Sequence, residues 1–244
     1  MKYFTLLLIL ISIDVFGQDK IPTNDGDITI TPITHGTLVL EHVNEVIYVD
    51  PYGGAELFSK QKKPTLVFIT DIHGDHLNQQ TLDGLDLSAA TIVAPQAVAD
   101  QLTAGTGMKV EVMANGQTKT INGIQTEAIP MYNLPETSDS RHPKGRGNGY
   151  VLDLGGKKVY ISGDTEDIAE MRSLQQIAIA FVCMNLPYTM DVDQAASAVV
   201  EFKPEIVYPY HYRGTDGLND IDKFKALVNE AAPDVEVRLR NWYQ

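Results

Sequence analysis

The segment Asp71-Ile72-His73-Gly74-Asp75-His76 puts two imidazoles and two carboxylates within six positions, in a chain with only six histidines. It follows an apolar, β-prone run, Leu66-Val67-Phe68-Ile69, so these polar groups are expected just past the end of a strand. Mixed imidazole and carboxylate donors suit zinc, manganese or iron better than calcium or magnesium, which favour oxygen ligands. The plainer alternative is a polar turn after a buried strand. Other residues weigh against it. His142 lies in the Pro/Gly-rich loop Arg141-His142-Pro143-Lys144-Gly145-Arg146-Gly147, and Asp164 lies in Ser162-Gly163-Asp164-Thr165. His211 follows the apolar run Ile206-Val207-Tyr208, and His35 falls in a turn between the first two expected strands. Loops carried on a rigid scaffold are where binding groups are displayed, and a site shared by these residues is the better expectation.

The elements that must position them follow from alternation and turn chemistry. Strands are expected at Ile28–Ile33, Thr37–Leu40, Val46–Val49, Leu66–Ile69 and Thr91–Val93. Pro95 then suits the first turn of a helix, Gln96–Leu102. Further strands are expected at Lys109–Val112, Thr118–Ile121, Ile124–Ile129, Tyr150–Leu154 and Lys157–Ile161, with Asn122-Gly123 and Gly155-Gly156 as two-residue hairpin turns. Helices at Ile168–Leu174, Val192–Phe202 and Asp220–Asn229 alternate with strands at Ile179–Cys183, Ile206–Tyr208 and Glu236–Leu239. Each half runs from hairpin strands to strands alternating with helices. An α/β architecture of two packed sheets with helices outside satisfies that order.

With the donors in this order, the chain resembles the metallo-β-lactamase fold superfamily over residues 18–244, whose pattern is H-x-H-x-D-H after a strand, then a lone His, a lone Asp and a last His. Val49-Asp50-Pro51 resembles the family's early strand-end Asp-Pro. Leu186-Pro187-Tyr188-Thr189-Met190, an alanine-rich helix and Tyr208-Pro209-Tyr210-His211-Tyr212 are similar to the branch containing ascorbate-6-phosphate lactonase, which also has a histidine near where His35 stands. The resemblance implies a four-layer αββα sandwich and one or two divalent ions, zinc or manganese, with iron as a further candidate. It implies Asp71, His73 and His142 at metal 1, Asp75, His76 and His211 at metal 2, and Asp164 between them. A water held between two cations would be deprotonated near neutral pH and attack the substrate, with Asp75 orienting it or taking a proton.

The chain departs from the family at Asp71, where histidine is usual. Two divalent ions with Asp75 and Asp164 carry a net charge of +2, which Asp71 lowers to +1. A less positive centre is a weaker Lewis acid, and an oxygen donor favours manganese or iron(II). Asp71 could equally be a neutral replacement, or mark a weak metal 1 and a single-ion site.

Four basic residues, Arg141, Lys144, Arg146 and Arg213, lie beside proposed ligands in a chain of net charge −13. They could hold a carboxylate or phosphate, arginine bidentately, or be solvated loop charges. His35 and Tyr188 are further candidates for substrate contact, while Tyr210 and Tyr212 could wall a pocket or simply pack. The acidic surface repels phosphate backbones, so nucleic acid is not the expected partner. The single Cys183 excludes an internal disulfide and sits in an apolar run, as a core residue. Met1-Lys2, the apolar stretch Tyr3–Ile13 and Val15-Phe16-Gly17 have the layout of a secretory signal peptide over residues 1–17. An N-terminal anchor is the alternative. No linker separates the rest, so 18–244 reads as one domain, periplasmic or secreted, free of the membrane once the leader is removed. The expectation is an exported hydrolase of a small-molecule lactone, ester or phosphoester, with an anionic substrate as a candidate. The alternative is a non-catalytic metal- or ligand-binding protein on the same fold.

Overall fold

The computed structural model describes residues 18–102 and 109–243; the expected leader lies outside the described residues. The first sheet holds β1 (Asp19–Pro22), β2 (Asp27–Thr34), β3 (Thr37–His42), β4 (Glu45–Val49) and β5 (Leu66–Phe68), then α1 (Gln79–Gly84), β6 (Thr91–Ala94), α2 (Gln96–Ala99) and β7 (Lys109–Val112). Its seven strands lie in sequence order, antiparallel from β1 to β4 and parallel from β4 to β7. The second half repeats the plan. β8 (Thr118–Ile121), β9 (Ile124–Met131), β10 (Gly147–Leu154) and β11 (Lys157–Ile161) are antiparallel. Then come α3 (Ala169–Arg172), β12 (Ile177–Cys183), α4 (Val192–Phe202) and β13 (Ile206–Tyr210). A small hairpin, β14 (Arg213–Gly214) and β15 (Gly217–Leu218), α5 (Ile221–Ala231) and β16 (Glu236–Val237) close the chain. β11, β12, β13 and β16 pair in parallel.

Period-two alternation explains the layering. In β3 and β4, Leu38, Leu40, Ile47 and Val49 join the core that also takes up the second sheet, while Val39, Val46 and Tyr48 join a separate cluster with Phe58, Leu82 of α1 and Val98 of α2. The first sheet is thus buried on both faces, against the other sheet and against its own helices. β12 is buried at all seven positions, as a parallel strand covered on both faces requires. Met171, Ala195, Val199, Phe224 and Val228 bring α3, α4 and α5 onto the second sheet. The result is the expected four-layer sandwich of the metallo-β-lactamase fold.

Both two-residue turns form, with Ile121 opposite Ile124 and Leu154 opposite Lys157. Asn122 and Gly123 take φ of 48° and 82°, the left-handed pair such turns need. Several bounds shift. β10 starts at Gly147 and not Tyr150, because pairing with Met131 on β9 recruits three residues that read as loop. The helix expected over 96–102 is regular only to Ala99; Gln101 N–H then bonds the Val98 carbonyl in a tighter turn. α3 is likewise shorter, and the last strand stops at Val237 where its pairing with β13 ends. β1, α1 and the β14–β15 hairpin are short and polar, too weakly patterned to read from sequence.

α4 matches its expected bounds, and its start shows why. Asp191 accepts from Gln194 N at 2.7 Å, and Gln194 Oε1 accepts from Asp191 N at 3.0 Å, a reciprocal capping box. Asp191→Ala is expected to cost about 1 kcal/mol, lowering the thermal midpoint by roughly 2–4 °C for a chain of this size, as thermal denaturation will measure.

Candidate metal centre

All the candidate donors sit at strand ends along one edge of the sandwich. β5 runs directly into residues 71–76, β9 leads to the loop holding His142, β11 ends before Asp164, and β13 ends before His211. The parallel strands of both sheets open their carboxyl ends there, which is where α/β sheets collect binding groups.

Three clusters result. One ligand atom each of Asp71, His73 and His142 lie within 4.8 Å of one another, and so do those of His76, Asp164 and His211, and of His35, Asp75 and His211. Asp164 joins the first two. Its Oδ2 is 3.3 Å from His76 Nε2 and 3.3 Å from His142 Nε2, and its Oδ1 is 3.4 Å from His211 Nε2. Asp75 Oδ2 lies 3.5 Å from His211 Nε2 on the more open side, with its side chain 33% exposed.

The buried atoms test whether a cation fits. His73 Nδ1, the Nε2 atoms of His76, His142 and His211, and Asp164 Oδ1 are buried without a hydrogen-bond partner. Each such group costs about 1–3 kcal/mol if left unsatisfied. Here they converge, and imidazole nitrogens with carboxylate oxygens are the donor set of zinc, manganese or iron sites. The residues fit one or two divalent ions.

A family model described as a beta-lactamase superfamily domain matches residues 29–211. The chain belongs to the metallo-β-lactamase superfamily. A UPF0173 metal-dependent hydrolase of Thermococcus onnurineus is 30% identical over 196 residues, 76% of this chain and 86% of its own length. One of Pyrococcus abyssi is 27% identical over 215 residues, 84% and 93% of the two chains. Among solved structures, a protein of Parabacteroides distasonis described as a metal-dependent hydrolase superposes with a TM-score of 0.81 at 39% identity, covering 94% of this chain and 100% of its own. A metallo hydrolase of Ignicoccus hospitalis gives 0.75 at 26% identity, covering 89% and 96%. These names specify a metal and hydrolysis, and no substrate. With the converging donors, they make this chain a metal-dependent hydrolase of the superfamily.

What surrounds the donors sets their direction. Asp50, at the end of β4, accepts from His76 Nδ1 at 2.8 Å and from Thr70 N and Oγ1 at 2.8 and 2.6 Å, which leaves His76 Nε2 aimed at the centre. Asn133 Oδ1 accepts from the His142 backbone N–H at 2.8 Å and its ring Nδ1 at 3.1 Å, and so frees His142 Nε2. Such partners fix the tautomer and orientation of metal-binding histidines. The strand-end position of Asp50 was visible in the sequence, but Asn133 carried no signal, since its partner is chosen by the fold.

His35 is placed differently from a ligand. The Arg213 N–H donates to the Tyr243 hydroxyl at 3.0 Å, and that hydroxyl donates to His35 Nδ1 at 2.8 Å. The remaining His35 Nε2–H then donates to Asp75 Oδ2 at 3.1 Å. His35 thus offers the centre a proton-bearing nitrogen and no lone pair, and it steadies Asp75. Burial pulls the Asp75 carboxyl up, but the His211 imidazole 3.5 Å away and the hydrogen bond from His35 outweigh it and hold Asp75 far below the usual carboxylate range. Asp164 is also held well below that range: burial opposes ionisation, and His211 and His76 overcome it. Tyr243, near the chain end, gave no signal as a site residue.

The candidate substrate contacts divide. Arg141 lies over the Tyr188 ring at 4.2 Å and Arg213 over the Tyr243 ring at 4.3 Å; both are exposed, and neither ion-pairs among the described residues. Lys144 is taken up by Glu170 at 2.9 Å. Arg146 is taken up by Asp71, so the carboxylate it holds is the protein's own. Tyr210 is buried and accepts from Gly163 N–H, and Tyr212 is buried and donates to the Arg240 carbonyl; both pack. Cys183 is buried, and burial pushes its thiol up to about 11, as a core residue and not a nucleophile.

Asp50→Asn keeps the shape and removes the charged acceptor behind His76. It is expected to weaken zinc binding about 10–100-fold, measured by calorimetric titration of metal-free protein.

Proposed function

We propose that this protein is an exported hydrolase that uses two divalent ions, held by Asp71, His73, His142, Asp164, Asp75, His76 and His211, to cleave a small anionic lactone or ester, with phosphoesters the second substrate class. The observation that carries the reading is Asp164, whose two oxygens face imidazoles of both donor groups. Bound ions supply Lewis acidity and lower the pKa of water.

The chain's own residues account for the rest. Asp75, steadied by His35, is the part-exposed carboxylate at the centre placed to orient a water by accepting its hydrogen bond. Arg141 and Arg213 present guanidinium groups free of carboxylate partners among the described residues, each stacked on a tyrosine beside a donor loop. That stacking favours recognition of an anionic group. The segments Leu186–Met190 and Tyr208–Tyr212, similar to the lactonase-like branch, support a lactone or ester ahead of a phosphoester.

The test is a panel of lactones, carboxylic esters, thioesters, phosphodiesters and β-lactams, with manganese- and zinc-loaded protein. Turnover of an ester or lactone, abolished in His76→Ala, is the expected result. Arg141→Ala and Arg213→Ala should each raise KM for an anionic substrate about tenfold, the equivalent of about 1.4 kcal/mol, and leave a neutral ester unaffected. Metal-loaded protein inert across the panel would instead favour a binding role.

A further inference from the structure

Asp71 stands where the superfamily usually has a neutral histidine, and Arg146 grips it. The guanidinium Nε is 3.0 Å from Asp71 Oδ1 and Nη2 is 2.8 Å from Oδ2, a two-pronged pair whose carboxylate is fully buried. The backbone builds this contact. Asn148 N–H bonds the Thr70 carbonyl at 2.9 Å, which draws the start of β10 against the residue before Asp71. Gly147 permits the approach, since a Cβ there would lie 2.8 Å from the Thr70 oxygen. Arg146 and Asp71 are therefore delivered side by side by the two sheets.

Asp71 Oδ2 serves two masters. While it accepts from Arg146, it also lies 2.7 Å from His73 Nδ1 and 3.9 Å from His142 Nε2, facing the first donor group. A carboxylate oxygen has two lone pairs, so pairing with arginine leaves one for a cation. A carboxylate gripped through both oxygens by a guanidinium is an ion pair, so the oxygen facing the donor group carries negative charge that is cancelled from behind.

We propose that Asp71 and Arg146 act as one net-neutral metal ligand, the charge equivalent of the family's histidine with an oxygen as the donor atom. This rests on the two-ion reading above. The centre then keeps the +2 that Asp71 alone would lower to +1, while the donor at metal 1 is harder. Asp71 and Arg146 are a coupled unit. Histidine at 71 without a change at 146 would not recreate the usual site, because it would strand a cationic guanidinium against a dication.

The test is a double-mutant cycle read by metal stoichiometry and calorimetric zinc and manganese titration of full-length protein after the metal is stripped. The parent is expected to bind two ions. Asp71→His should bind its second ion about 10–100-fold more weakly, and adding Arg146→Met to it should recover that loss. The isosteric pair Asp71→Asn and Asp71→Asn/Arg146→Met runs in parallel and carries the test if the histidine variant fails to fold; retention of the first ion reports a folded site. Loss in the single variants with recovery in the doubles supports the coupled ligand. A parent with two ions and an Asp71→His or Asp71→Asn variant of unchanged affinity, or no recovery in the doubles, overturns it and leaves the two-ion reading standing. A parent that binds fewer than two ions overturns both.

Discussion

The structure is organised around a buried carboxylate that faces imidazoles from three directions. Asp164 lies 3.3 Å from His76 and from His142 and 3.4 Å from His211. His76 belongs to the first sheet's strand-end loop and the other three residues to the second half. The seam between the sheets therefore sets the geometry of the centre, and the packing that forms the seam is as necessary as the donors. An ionised carboxylate at such depth is costly unless it is paired and hydrogen-bonded. Its tolerance here comes from the imidazoles, and from a cation when one is bound.

The same constraint explains the partners behind the donors. Two of the aimed nitrogens have a rear contact that spends the other ring atom: Asp50 behind His76, Asn133 behind His142. His35 is held by Tyr243 in the opposite sense, presenting a hydrogen to Asp75. These partners decide which ring atom of His76, His142 and His35 meets the centre.

Charge is managed locally against an acidic whole. The chain carries a formal −13, yet its centre gathers Arg146 onto Asp71 and leaves Arg141 and Arg213 stacked on tyrosines. One arginine neutralises a buried carboxylate, and two stack on rings with no carboxylate partner among the described residues. Three basic residues that look alike in sequence thus divide according to what the fold places in front of them, and Lys144, bound to Glu170, has yet another fate.

Sequence alone determined what depends on near neighbours and on repeated pattern. The Asn122-Gly123 and Gly155-Gly156 turns, the helix Val192–Phe202, the fully apolar β12 and the order of the donors are local or periodic, and they carried the fold class and the family. Short polar elements such as β1 and α1 escaped because three to six residues hold too little pattern. Tertiary structure alone decided the pairings between distant positions: Arg146 on Asp71, Asn133 on His142, Tyr243 on His35. These are contacts of single side chains across the seam, within a long irregular loop or from the last residues, and no local propensity encodes them. The residue types at 71 and 146 were plain to read. That their opposite charges cancel against one another became visible only when β5 and β10 brought them within 3.0 Å.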